Sequence, residues 1–353
     1  MGGLDETFAE AMVVVMSLMS AIIIIINAGC IYIIQWSSVL RQKTASIFVY
    51  SILTLHLLQG CFVIPFYAAK KSKIDSIESK KFICDGFRFS YMITFYGACI
   101  NVLLIGGDRL LAIRLMTSYK LVVTRRRAII ATISLWTYVL VLCLIPFVPP
   151  ESEKFCRYNQ QDEWTTFMLF FNTLLPYIFV IVSYMYITVK LDEIQQKTQA
   201  YNPVDGDNKP VKKRSRAIST FNLFVINKHK DKESEAERER TKNIRKVTKL
   251  TFMIILTYGL TWAPSIFYYI LLKVAPSIFT EEYNTSPAES YVTFFIKFIT
   301  FFDAIFTPII YCYFHNDFRR EFDKFWRKVL KKQDVAEIKD ENSSHRPRSC
   351  TSW

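Results

Sequence analysis

The sequence predicts an all-α membrane protein: a seven-transmembrane helix bundle followed by a short amphipathic eighth helix. Two observations carry the prediction. Of the 353 residues, 51% are apolar and 15% aromatic, more than a soluble core of this length needs. They gather in seven stretches, at 11–36, 45–69, 82–114, 127–148, 164–190, 246–274 and 288–314. Each exceeds the roughly 20 apolar residues that take a helix across a bilayer. At that length in hydrocarbon, a helix is the form that satisfies its own backbone. Second, the basic residues alternate in side. Arg41 and Lys43 follow the first span. Arg114, Lys120 and Arg125-Arg126-Arg127 follow the third, sixteen Lys and Arg run from Lys190 to Lys249, and ten more follow His315. The positive-inside rule makes these connections cytoplasmic and the N-terminus extracellular. Lys70, Lys71, Lys73, Lys80 and Lys81 oppose that orientation and are outnumbered. The net charge of +13 therefore reads as topology, attraction to membrane lipid and contact with an acidic partner, not as nucleic-acid binding.

The elements follow in order. Residues 1–10 form a short extracellular segment without Lys or Arg, and the bundle occupies 11–314. Span one carries Asn27, is too long for a cleavable signal and acts as its own anchor. Span two carries His56 and Pro65. Span three opens on Cys84, presents Arg88, Tyr91 and Phe95 at helical spacing, and ends on Asp108-Arg109. Ionisable residues inside a span are costly and mark function by default; the plainer reading of Arg109 is a cation snorkelling to the interface. Span four carries Trp136, span five Pro176 and Tyr184. The third cytoplasmic connection, about 191–245, is long, with Pro203, Gly206 and Pro210 suggesting partial disorder. Within it, the charged run 233–240 reads as a polar extension of span six or as solvated coil. Span six contains Thr261-Trp262-Ala263-Pro264, and span seven Asp303 through Thr307-Pro308-Ile309-Ile310-Tyr311. Residues 315–330 place Phe318, Phe322 and Phe325 on one face between basic flanks, which suits a surface helix. A disordered tail, 331–353, follows, with Cys350 as a remote lipidation candidate.

Taken together, one set per span and in order, these residues resemble the rhodopsin-like (class A) G-protein-coupled receptors over about 11–326. Asp108-Arg109-Leu110 looks like the family's Asp-Arg-Tyr box with Leu for Tyr. Trp262-Ala263-Pro264 looks like its Cys-Trp-x-Pro switch, and Thr307-Pro308-Ile309-Ile310-Tyr311 like Asn-Pro-x-x-Tyr. The resemblance implies an activation switch of Asp108, Arg109, Tyr184, Trp262, Pro264, Thr307, Pro308 and Tyr311. It implies a receptor of orphan or peptide type, not an enzyme, needing neither cofactor nor metal. It also implies a Cys84–Cys156 disulfide on the outer face, where disulfides persist. Its partners would be a heterotrimeric G protein and, through Ser and Thr in the tail, arrestin; its place would be the plasma membrane. Asn284-Thr285-Ser286 is a glycosylation acceptor sequence in the third outer loop.

Two departures stand out. His56 occupies the position of the family's sodium-binding Asp, and Asp303 that of an Asn in span seven. The acid has crossed the polar core formed with Asn27, so that His56 and Asp303 form an ion pair, or His56 is neutral and bonded to a carbonyl or to Asn27. Tyr91 stands where amine receptors carry their acid, and Phe301 where opsins carry their Schiff-base Lys. The expected ligand site is Arg88, Tyr91, Phe95, Trp262, Ser265, Ile266, Tyr269, Lys297 and Phe301. Arg88 and Lys297 would make a cationic rim, unless Lys297 snorkels to water. The rim suits an anionic ligand, whereas acids in the outer loops would steer a basic peptide. A peptide is favoured, with an anionic small molecule or lipid as the alternative. A scavenger or scaffold without signalling, and a seven-helix pump, are the remaining readings.

Overall fold

The computed structural model describes residues 6–71, 77–147, 163–201, 220–279 and 287–344. Seven described helices are long and apolar enough to cross a membrane: Thr7–Trp36, Thr44–Lys70, Lys81–Val122, Arg125–Phe147, Thr166–Ile194, Ile244–Val274 and Ala288–Phe314. These are spans one to seven. Span three is 72% buried over its most apolar window, against 28% for span one and 22% for span four. Span three is therefore the axis of the bundle. Spans one and four turn Leu18, Ile25, Ile133 and Val141 outward, as helices in lipid do.

Proline sets the irregularities. A proline removes one backbone donor and its ring strikes the carbonyl four residues earlier. In span two, Pro65 follows a π-helical turn at Gln59–Val63, and in span five Pro176 follows one at Phe170–Leu174. The carbonyls opposite, those of Cys61 and Asn172, lie inside the widened turns, which make room for the rings. In span seven the carbonyl opposite Pro308 belongs to Ala304, and it accepts a hydrogen bond from Asn27 Nδ2 at 2.8 Å. Span one thus supplies the donor that Pro308 cannot.

Two expectations are corrected. Much of 191–245 is helical: one helix runs Leu175–Tyr201 and another Thr220–Val274, and the inclusion of 233–240 in the second agrees with its reading as a polar extension of span six. The prolines and glycine that suggested a loop fall in 202–219, outside the described residues. The surface helix runs Asn316–Ser344, well past residue 330, because no Gly or Pro interrupts it.

That helix is fastened at its start. His315 caps it, its Nδ1 accepting from the Phe318 N–H at 3.0 Å. Phe318 is fully buried against Tyr311, ring centroids 5.1 Å apart. Asp317 pairs with Lys43, and Glu321 accepts from Ser37 Oγ at 2.9 Å and from Lys324 at 2.8 Å. Phe325 packs edge-on against Tyr32 and Trp36 of span one.

Candidate functional site

Four groups of side chains lie along the bundle. At one end, Lys297 of span seven is 6% exposed. Its Nζ donates to Tyr269 Oη at 3.0 Å and lies 3.6 Å from the centre of the Tyr91 ring. Lys297 is therefore turned into the bundle, not out to water. Tyr91 continues inward as a ladder: it stacks on Phe95, with centroids 6.2 Å apart, and Phe95 stacks on Trp262 at 4.7 Å. Ser265 and Thr300 share a hydrogen bond of 2.9 Å beside it, Phe301 is fully buried against Tyr67, and Ile266 packs at the edge of the same core. Arg88 lies elsewhere in the group, its guanidinium 5.3 Å from the Phe147 ring. The cation that shares Lys297's aromatic wall is Lys70, 5.5 Å from Phe87, which stacks on Tyr91. Sequence reasoning missed Lys70, Tyr67 and Phe87. They follow Pro65 and the π-helical turn or precede Tyr91 by one turn, where spacing gives no reason to prefer them.

Trp262 rests on Tyr258, which contacts Cys99 Sγ at 3.1 Å and donates to the Phe95 carbonyl at 3.3 Å. Below it is the polar core. His56 Nε2 donates to Asp303 Oδ2 at 3.2 Å, and Thr307 Oγ1 donates to Asp303 Oδ1 at 3.0 Å. All three residues are buried. Asn27 bonds the carbonyls of Ile23 and Ala304 beside them. Both carboxylate oxygens of Asp303 are engaged by the protein itself. Among the described residues, no three of His, Cys, Asp and Glu gather as a metal would require.

At the other end Arg109 and Asp108 form a buried ion pair, with Arg109 Nε 3.0 Å from Asp108 Oδ2. Tyr119 donates to the second oxygen, Asp108 Oδ1, at 2.6 Å. Its return toward Asp108 follows a turn through Met116, whose φ of 34° is left-handed. A left-handed Met has no sequence signature, so Tyr119 was not foreseen. Tyr184 of span five donates to Thr251 of span six at 2.6 Å. Pro264 lies inside span six, and Tyr311 is buried by the surface helix. Cys84 is disulfide-bonded. Cys156, Asn284 and Cys350 lie outside the described residues.

A family model described as "7 transmembrane receptor (rhodopsin family)" matches residues 26–311. Among curated proteins, melanopsin of Felis catus is 23% identical over 249 residues, 67% of this chain and 44% of its own length. The alpha-1A adrenergic receptor of Oryzias latipes is 20% identical over 297 residues, 80% of this chain and 59% of its own. The octopamine receptor beta-2R of Chilo suppressalis is 20% identical over 299 residues, 81% of this chain and 73% of its own. The chain thus spans about half the length of the first two.

Proposed function

Because the chain belongs to the rhodopsin family of seven-transmembrane receptors, a family of receptors and not of enzymes, we propose that it binds an extracellular ligand and activates a heterotrimeric G protein. The observation that carries the proposal is the Asp108–Arg109 pair, buried at the end of the central span beside the Tyr184–Thr251 contact between spans five and six. A guanidinium held this way is a latch. Swinging span six about Pro264 breaks the Tyr184 bond and opens a site in which Arg109 meets the G protein. The Arg109 end then faces the cytoplasm, in keeping with the basic connections, and the Lys297 end faces outward at the plasma membrane. Cys84 joined to Cys156 would staple the second outer loop to span three, Asn284 would carry the glycan, and the tail would meet arrestin.

The relatives are named as a melanopsin and as adrenergic and octopamine receptors. The pocket has Tyr91 where amine receptors carry their acid, and Lys297 stands one turn outside Phe301, the position of the opsins' Schiff-base Lys. A peptide fits the acid-rich outer loops, and an anionic small molecule or lipid is the second reading, favoured by the buried Lys297 itself. The test is Arg109→Ala, read by nucleotide exchange on G proteins in membranes. Exchange should fall to the level of membranes lacking the receptor, while surface staining stays near normal. Unchanged exchange would refute signalling through this residue.

A further inference from the structure

Lys297 places a buried amine against aromatic side chains, and no carboxylate of the described residues is paired with it. Its neighbours are a phenol oxygen at 3.0 Å and the faces of Tyr91 and Tyr269, at 3.6 and 4.9 Å. A hydrogen bond and two ring faces recover only part of what an ammonium loses on leaving water. Among the described residues, the other groups on its side of the bundle do not complete the balance. Lys70, across the Phe87–Tyr91 stack, adds positive charge. Glu289 is on the same helix but two turns outward, about 12 Å away along the axis. The other buried ions of the bundle are treated differently: Arg109 has Asp108, and Asp303 has His56 and Thr307. Among the described residues, Lys297 is the buried acidic or basic side chain without an oppositely charged partner, which leaves a place for a carboxylate that arrives.

Building on the receptor reading, we propose that Lys297 is the docking point for a carboxylate on the ligand. The ligand is then an acid with an apolar or aromatic body, either a small organic acid or a peptide presenting its free C-terminus. The carboxylate takes the ammonium in a charge-assisted hydrogen bond, and the body lies on Tyr91 and Phe95. The same capture draws Lys297 off the Tyr91 face. Tyr91 is the outer rung of the ladder that ends on Trp262, so anion binding changes the packing on the switch residue directly.

The purified full chain in nanodiscs provides the test, read as melting temperature. The probes are 4-phenylbutyrate and N-acetylphenylalanine, with N-acetylphenylalaninamide and phenethylamine as the neutral and cationic counterparts. At saturating concentration the two acids should raise the melting temperature by about 2 °C or more, and the amide and amine should not. Lys297→Met, which removes the buried amine and keeps the volume, should melt higher than the native chain without probe and lose the response to acids. Lys297→Arg should keep the response. Peptides with free C-termini, compared with their amidated forms, separate the two sources. Response to the free-acid peptides beyond that to the small acids assigns a peptide, and equal response assigns a small acid. Failure of both acids to stabilise, equal stabilisation by the amide, or a response that survives Lys297→Met would overturn the proposal. Arg109→Ala, assayed for nucleotide exchange, reports on the receptor reading separately, so the two can fail independently.

Discussion

Asp303 shows how one residue's environment decides its partners. Its carboxylate lies in the middle of an apolar bundle, where a lone charge costs several kcal/mol. His56 answers one oxygen and Thr307 the other. Removing one partner should therefore hurt more than removing both. His56→Ala should lower stability by about 3–5 kcal/mol, while His56→Asn combined with Asp303→Asn should lose clearly less. Thermal melts of the two purified variants decide the order; a double variant less stable than the single one would contradict the pairing. This pair was legible in the sequence, because two departures from one family pattern compensate each other across adjacent spans. Lys297 was half legible: its helix face could be counted, but whether a long flexible side chain turns inward or outward depends on Tyr91 and Tyr269 from other spans. Tyr119 was illegible, since its contact with Asp108 depends on one left-handed backbone angle at Met116.

Among the elements, the surface helix has the clearest dependence on pH. Its cap works only while His315 Nδ1 is free of a proton, because that nitrogen accepts from Phe318. Burial, helped by Lys43, holds the imidazole down at about 4. The hydrogen bond from Lys43 holds the Asp317 carboxyl below its ordinary value as well. Both groups thus bind protons less readily when the helix is docked than when it is free. The docked state is favoured above the ordinary imidazole value near 6.5, and that advantage drains away as pH falls toward about 4. Hydrogen exchange over residues 316–330 should accelerate relative to the spans across that window. His315→Asn, whose amide oxygen can cap without titrating, should flatten the profile down to the range where Asp317 protonates; an unchanged profile would contradict the mechanism. The helix's amphipathic start was readable from Phe318, Phe322 and Phe325. Its far end was not, because a charged run without Gly or Pro has the composition of both a disordered tail and a solvated helix. The π-helical turns were hidden for a related reason. Pro65 and Pro176 announce a distortion without saying whether the helix kinks or widens.

Across the whole molecule, the latch is fastened from one side. Arg109 is tied to Asp108 on its own span, and Tyr119 supports that carboxylate. Span six offers no acid to hold it: Ile244 packs among Ile113, Ile187 and Leu191, and Thr248, one turn on, is uncharged. A second charge-assisted bond, worth about 1.5–3 kcal/mol, is missing from the closed bundle. Membranes bearing the chain should show nucleotide exchange above background without any ligand, and Ile244→Glu should reduce it several-fold. Exchange at background in the native chain would count against the proposal. The same buried ions have an electrical consequence. Arg109, Asp303 and Lys297 stand at different heights along the bundle, and a polarised membrane drops its voltage along that axis. One elementary charge crossing fully exchanges about 2.3 kcal/mol per 100 mV, so a shift of a tenth of the thickness exchanges about 0.2 kcal/mol. Freeing the Arg109 guanidinium from its latch displaces charge along that field. In the proposed activation, the resting potential would therefore weigh on the balance between closed and open bundles.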